Sequence, residues 1–148
     1  VPFFSQNFLV FTLKQQAMAT DNKIKNRKIL VIEDDPDMQK LYKDFLSDYA
    51  EVIQAFNLTE AKVKFAVTKN FTHILVDACL GGNREDGKPD TTELVPEMRR
   101  TFTGIMIAIS SDTDHNDFLV SLGCDRGVEK CHSLLYMIDL LELEQENS

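Results

Sequence analysis

Three short aliphatic runs constrain this chain more than anything else in it: "KILVI" (28–32), "HILV" (73–76) and "GIMIAIS" (104–110). Each is too short for a buried helix and is apolar at consecutive rather than alternate positions, the pattern of a strand covered on both faces. Segments of helical period lie between and after them. In "MQKLYKDFLSDY" (38–49), Met38, Leu41, Tyr42, Phe45 and Leu46 fall on one face, with Pro36 near the start. "LTEAKVKFAVTK" (58–69) reads as a helix with Thr59 as its N-cap, "TELVPEMRRT" (92–101) as another, and "DFLVSLG" (117–123) as a short one closed by Gly123. A final amphipathic helix spans "SLLYMIDLLELEQ" (133–145). "AEVIQAF" (50–56) and the weaker "RGVEK" (126–130) supply the remaining strands. Five strands alternating with five helices predict an α/β fold with a doubly wound five-stranded parallel sheet, because each parallel crossover must carry a helix across one face.

The size and composition agree with one such domain. A chain of 148 residues, 43% hydrophobic and 27% charged, is long enough to bury a single core. The opening stretch "VPFFSQNFLVFTLKQQAMATDNK" does not share the pattern; its apolar residues are interrupted by Ser5, Gln6 and Asn7 and are too few to span a membrane. Residues 1–26 are read as an N-terminal extension, with 1–17 a vector-derived leader or a poorly ordered arm, and 27–148 as the folded domain. A formal net charge of -8 with scattered Lys and Arg argues against a nucleic-acid-binding surface and points instead to protein partners or a small phosphorylated ligand. Cys79, Cys124 and Cys131 are an odd number with no paired motif, which argues for a reducing compartment rather than a disulfide framework. Cys124, Cys131 and His132 are zinc-ligand types at a spacing that fits no common zinc finger.

In doubly wound folds ligands bind at the carboxyl ends of the strands. The polar residues expected there form a set: Glu33, Asp34 and Asp35 after strand one, Asp77 after strand three, Ser110, Ser111 and Asp112 after strand four, Glu129 and Lys130 after strand five. A lone acidic residue after a strand is ordinarily a helix cap or a surface group. Carboxylates, hydroxyls and an amine converging on one sheet edge are a different matter.

Those residues resemble the receiver domains of two-component response regulators. "ILVIEDDPDMQKLY" is similar to the family's first strand and acidic turn, with Glu33 and Asp34 as the acidic pair; "HILVDACL" is similar to the strand that carries the phosphoacceptor, which places Asp77 there. "IMIAISSD" puts Ser110 at the switch hydroxyl, and "GCDRGVEK" ends in Lys130 at the family's lysine. The resemblance covers about residues 27–146 and has four motifs in order. It implies the flavodoxin-like strand order 2-1-3-4-5. It also implies a cytoplasmic phosphoacceptor that is not an enzyme beyond its own phosphorylation and dephosphorylation, and that has no membrane or direct nucleic-acid contact. Asp77 would take a phosphoryl group from a sensor histidine kinase or phosphotransfer protein, and a surface change would signal to a downstream effector protein. The implied cofactor is Mg2+, held by Asp34, Asp77 and the backbone carbonyl of Cys79, with Glu33 acting through water. Such oxygen ligands suit a hard cation, and a carboxylate nucleophile needs positioning and charge neutralisation more than a strong base.

The chain also departs from the family's pattern. The loop "GGNREDGKPDT" (81–91) is longer than usual and carries Arg84 and Lys88, which are candidates to approach a new negative charge. Gly127 stands where an aromatic residue is usual, and Cys131 rather than Pro follows Lys130. An interaction-only degenerate receiver is the alternative reading. A phosphohydrolase of the haloacid dehalogenase type, suggested by Asp35-Pro36-Asp37, fits poorly because that pair lies one residue late and is followed by Met38.

Overall fold

The computed structural model of the protein describes residues 26–147. The proposed extension at 1–26 therefore lies, but for Asn26, outside the described residues. The strands are β1 (Lys28–Ile32), β2 (Glu51–Ala55), β3 (His73–Val76), β4 (Ile105–Ala108) and β5 (Arg126–Gly127); the helices are α1 (Pro36–Leu46), α2 (Leu58–Val67), α3 (Leu94–Arg99), α4 (Thr113–Leu122) and α5 (Lys130–Glu146). All strand pairs are parallel and the order is β2-β1-β3-β4-β5, as the resemblance implies.

The consecutive apolar runs have the burial they require. Ile29 to Ile32, all four residues of β3, and Met106 to Ala108 are buried, and alternate residues serve opposite faces. Leu30, Ile32, Ile74, Val76, Met106 and Ala108 pack with Ala61, Val95, Met98 and Leu119, on the side of α2, α3 and α4. Ile29, Val31, Leu75, Ile107 and Ile109 pack with Tyr42, Leu46, Met137 and Leu141, on the side of α1 and α5. Each fully buried Leu or Ile contributes about 1.5–3 kcal/mol.

Element boundaries differ from expectation wherever capping, not apolar spacing, decides them. Helix α2 is capped by Asn57, whose Oδ1 accepts from Glu60 N at 2.9 Å, so Thr59 lies inside the helix rather than at its cap. Helix α4 starts four residues before the expected 117, because Asp112 Oδ1 accepts from Asp114 N and His115 N; its first turn is polar and carries no apolar signal. Strand β5 is only two residues long, and α5 begins at Lys130 rather than at 133. Lys130 is therefore the first residue of a helix, not the end of a strand. The peptide before Cys131 is trans. No described helix is long and apolar enough to cross a membrane.

Candidate functional site

Strand register sets the site. Ile32 pairs with Val76, so the residues that follow, Glu33 and Asp77, leave the sheet at one level. Their main chains stay tied to it: Asp77 N donates to Ile32 O at 2.9 Å and Glu33 N to Ala55 O at 3.0 Å. By alternation both side chains fall on the face of Ile29, Val31 and Leu75, which α5 covers. There the first residue of α5 meets them. Lys130 Nζ is 2.7 Å from Asp77 Oδ2 and 2.9 Å from Glu33 Oε2.

Two carboxylates are thus buried against one ammonium; Glu33 is 0% exposed and Asp77 3%. Burial, then the charge of Asp77, raise the Glu33 pKa well above the usual carboxylate range despite the pull of Lys130. Burial works against the charge on Lys130, but the hydrogen bond to Asp77 and the adjacent carboxylate of Glu33 outweigh it and hold the ammonium above the usual lysine value. Asp77 Oδ1 accepts from Ala78 N at 2.8 Å, and Glu33 Oε1 from Asp35 N at 3.0 Å. Glu33 Oε2 is ion-paired to Lys130 but has no well-formed hydrogen bond, the one such buried side-chain atom among the described residues.

The exposed Asp34 completes the cluster. Its carboxylate, that of Glu33 and that of Asp77 each bring an oxygen within 4.8 Å of the others. Three hard oxygen donors, an under-satisfied buried oxygen and a single opposing lysine fit a divalent cation that prefers oxygen ligands. The Cys79 side chain is exposed, and its thiol lies 3.7 Å from His115 Nδ1, away from a role as a metal-binding sulfur in this cluster. Ser110 is buried at the end of β4, and its Oγ accepts from Asp112 N at 3.1 Å; among the described residues it makes no hydrogen bond with Asp77.

The zinc set of the sequence does not assemble. Cys124 is in the core, where burial pushes its thiol up to about 12, far from the thiolate that zinc requires. Cys131 and His132 are exposed and lie with Glu129 instead. Arg84, with Lys88 a candidate to approach a new negative charge, forms ion pairs with Asp86 at 2.8 Å and Glu93 at 2.6 Å.

Three supporting residues escaped the sequence reading. Thr91 Oγ1 lies 3.0 Å from the Asp77 carbonyl and 3.2 Å from that of Ala78, so the far end of the long loop braces the main chain at Asp77. Asp90 Oδ2 accepts from Leu80 N and Gly82 N, which folds the loop back on its own start. Gln39 Nε2 sits 3.0 Å from the carbonyls of Val31, Glu33 and Ala55, tying the ends of β1 and β2 together through one side-chain amide. The available signal was the polar residue at a core-facing helix position (Gln39) and the Asp-Thr pair just before α3.

No protein-family model and no curated protein matches the sequence. Solved structures do match. A two-component response regulator from Clostridium difficile is 23% identical over 82% of this chain and 99% of its own, with a TM-score of 0.64. The N-terminal domain of the nisin resistance regulator NsrR, a lantibiotic response regulator, is 26% identical over 78% of this chain and 95% of its own, with a TM-score of 0.64. The chemotaxis protein CheY4 of Vibrio cholerae is 18% identical over 78% of this chain and 96% of its own, with a TM-score of 0.63. Such identities speak to architecture, and the architecture is unambiguous: residues 26–147 have the fold of response regulator receiver domains.

Proposed function

We propose that this chain is a phosphoryl-accepting receiver: Asp77 takes a phosphoryl group, with Mg2+ bound, from a sensor histidine kinase or phosphotransfer protein. The observation that carries the reading is the buried Glu33–Lys130–Asp77 cluster with Asp34 in reach at the carboxyl edge of a receiver fold. In the transfer, an Asp77 carboxylate oxygen bonds to phosphorus as the bond from phosphorus to the donor's imidazole nitrogen breaks. Asp34, Asp77 and the Cys79 carbonyl would hold the cation, with Glu33 acting through water. When bound, Mg2+ supplies neutralisation of phosphoryl charge.

The chain's own groups do the rest. The Ala78 N–H and Lys130 fix the Asp77 carboxylate, so the nucleophile is oriented before the donor arrives. Once Asp77 carries the phosphoryl group as an acyl phosphate, Lys130 is free to pair with a phosphoryl oxygen. Ser110 reaches a second phosphoryl oxygen by giving up the position it holds beside Asp112. That exchange starts a surface change read by a downstream effector protein, in a cytoplasmic setting. The chemistry is a signalling event on the protein itself rather than turnover of a substrate, and an intact set of acid pair, acceptor, hydroxyl and lysine favours it over an interaction-only module.

Incubation with acetyl phosphate and Mg2+, read by intact mass, tests the proposal. One phosphoryl group per chain is expected on the wild type and none on Asp77→Asn, whose amide keeps the size and loses the nucleophile. Undiminished labelling of Asp77→Asn in a folded protein would move the acceptor elsewhere.

A further inference from the structure

Ser110 is held by a side chain that the acceptor chemistry does not use. Asn116, buried in the first turns of α4, brackets the Ser110 main chain: its Oδ1 accepts from Ser110 N at 2.8 Å, and its Nδ2 donates to Ser110 O at 2.9 Å. The same Nδ2 lies 3.3 Å from the carbonyl of Val128, just past β5. One amide therefore ties together the end of β4, the start of α4 and the segment leaving β5. Its orientation is fixed by its surroundings, since the oxygen faces an N–H and the nitrogen faces two carbonyls.

Beside it, β5 gives up a side chain. A Cβ placed on Gly127 would fall 2.6 Å from Asn116 Cβ and 3.4 Å from its Cγ. Asn116 thus occupies the space that a residue at 127 would need, and the two positions form a matched pair.

We infer that Asn116 is the positioning residue that couples Ser110 to α4 and β5, so that a shift of Ser110 toward a phosphoryl group on Asp77 is carried to those elements by the Asn116 amide. The inference rests on the receiver reading above. Two links support it. The main chain of Ser110 cannot move without breaking or dragging both amide bonds, and breaking them would leave buried donors and acceptors unsatisfied. Nor does any side chain on Gly127 stand available to sense the displacement. The backbone bond Val128 N to Ala108 O joins the segment after β5 to β4, and Lys130 N to Ser110 O joins the start of α5 to the end of the β4 segment, but among these contacts only Asn116 brings α4 into the same unit.

The test uses the intact chain with beryllofluoride and Mg2+ as the probe, followed by amide hydrogen exchange and NMR. Wild-type protein should respond at Ser110, at residues 113–122 and at Val128, and the Asn116 side-chain amide signals should shift with them. Asn116→Asp keeps the shape but sets an acceptor against two carbonyls, and Asn116→Ser removes the bridge. Both variants should keep Mg2+ binding and the response at Ser110 while losing the response at 113–122 and Val128, which a merely structural role would not separate. Responses at α4 and Val128 equal to wild type would overturn the inference while leaving the receiver reading intact. Should neither variant fold, the wild-type Asn116 amide decides, because signals that stay fixed while α4 moves overturn the coupling. A wild type that binds no beryllofluoride overturns the receiver reading and this inference with it.

Discussion

The two flanks of Asp77 are built on different principles. On the β1 and α5 side, charge sits directly on the residues that would do the chemistry: Glu33, Asp34, Asp77 and Lys130 lie at strand ends or at a helix start, and register alone brings them together. On the β4 and β5 side there is little charge to see. Ser110 is positioned by the neutral amide of Asn116, and the strand beside it is two residues long with a glycine at the contact. The first flank is organised by Coulomb attraction between groups that cannot be buried apart, the second by a hydrogen-bonding jigsaw that depends on exact volume. Substitutions should therefore act differently on the two: on ligand binding at the first, on folding stability and signal transmission at the second.

The sharpest separation is expected on the charged flank. Asp34→Ala should weaken Mg2+ binding by roughly 10–100-fold, the scale on which loss of a site group acts, with little effect on the fold because Asp34 is exposed. Glu33→Ala should weaken it less, if Glu33 acts through water. A titration in which the two variants lose equally would remove the distinction between direct and water-mediated ligand.

On the other flank, Gly127→Ala should destabilise the protein by about 1–3 kcal/mol, the usual cost of forcing a methyl group into a filled space. Combining it with Asn116→Gly, which removes the opposing Cβ, should cost less than the sum of the two single changes. Additive urea midpoints would show that the two positions do not share a space, and the comparison between flanks would lose its second half.

The difference also explains what could be read from the sequence. The three apolar runs give the strands because both-face burial demands consecutive apolar residues, and Glu33, Asp77 and Lys130 are legible because each follows such a run or closes a recognisable segment. Residues whose role depends on a partner far along the chain were not legible. Asn116 looks like one more polar residue in "DTDHND", and only the placement of Gly127 against it reveals its use. The same holds for Thr91, which braces Asp77 across 14 residues. Helices α4 and α5 start ahead of their apolar periodicity for a related reason: capping by Asp112 and the turn through Glu129 set their first residues.

A smaller effect should appear in the pH dependence of the charged flank. Glu33 has its pKa raised on folding, chiefly by burial and then by Asp77, from the ordinary 4.5 to about 7. Its contribution to stability is full below that unfolded value and is lost as pH rises through the folded one, because the folded state holds the proton more tightly. Without divalent metal, the urea midpoint should fall from about pH 5 to pH 8 through this group, and saturating Mg2+ should reduce the fall by compensating the carboxylate. A pH slope that is the same with Mg2+ and with a chelator would mean that Glu33 does not face the cation.

The smallest change should come from the long loop, 81–91. Arg84 and Lys88 are the loop's candidates to meet a new charge on Asp77, but the Arg84 guanidinium is committed to Asp86 and Glu93, with Nη1 also 3.3 Å from the Pro89 carbonyl. Hydrogen bonds to Asp86 and Glu93 raise its pKa further, and the bond from Arg84, then that from the Lys88 N–H, hold the Asp86 carboxyl at about 2. These are exposed pairs, screened by solvent, so they fix the local path of residues 84–93 without stabilising the domain strongly. The loop's anchorage comes instead from Asp90 and Thr91, which bind main-chain groups at Leu80, Gly82, Asp77 and Ala78. Arg84→Ala should accordingly leave acetyl phosphate labelling within about twofold of wild type, since a screened surface pair contributes little to a buried site. Thr91→Val, which keeps the shape and removes the hydroxyl beneath the acceptor, should slow labelling more. The reverse ranking in a side-by-side rate measurement would return the loop's arginine to the acceptor and make the two flanks of Asp77 three.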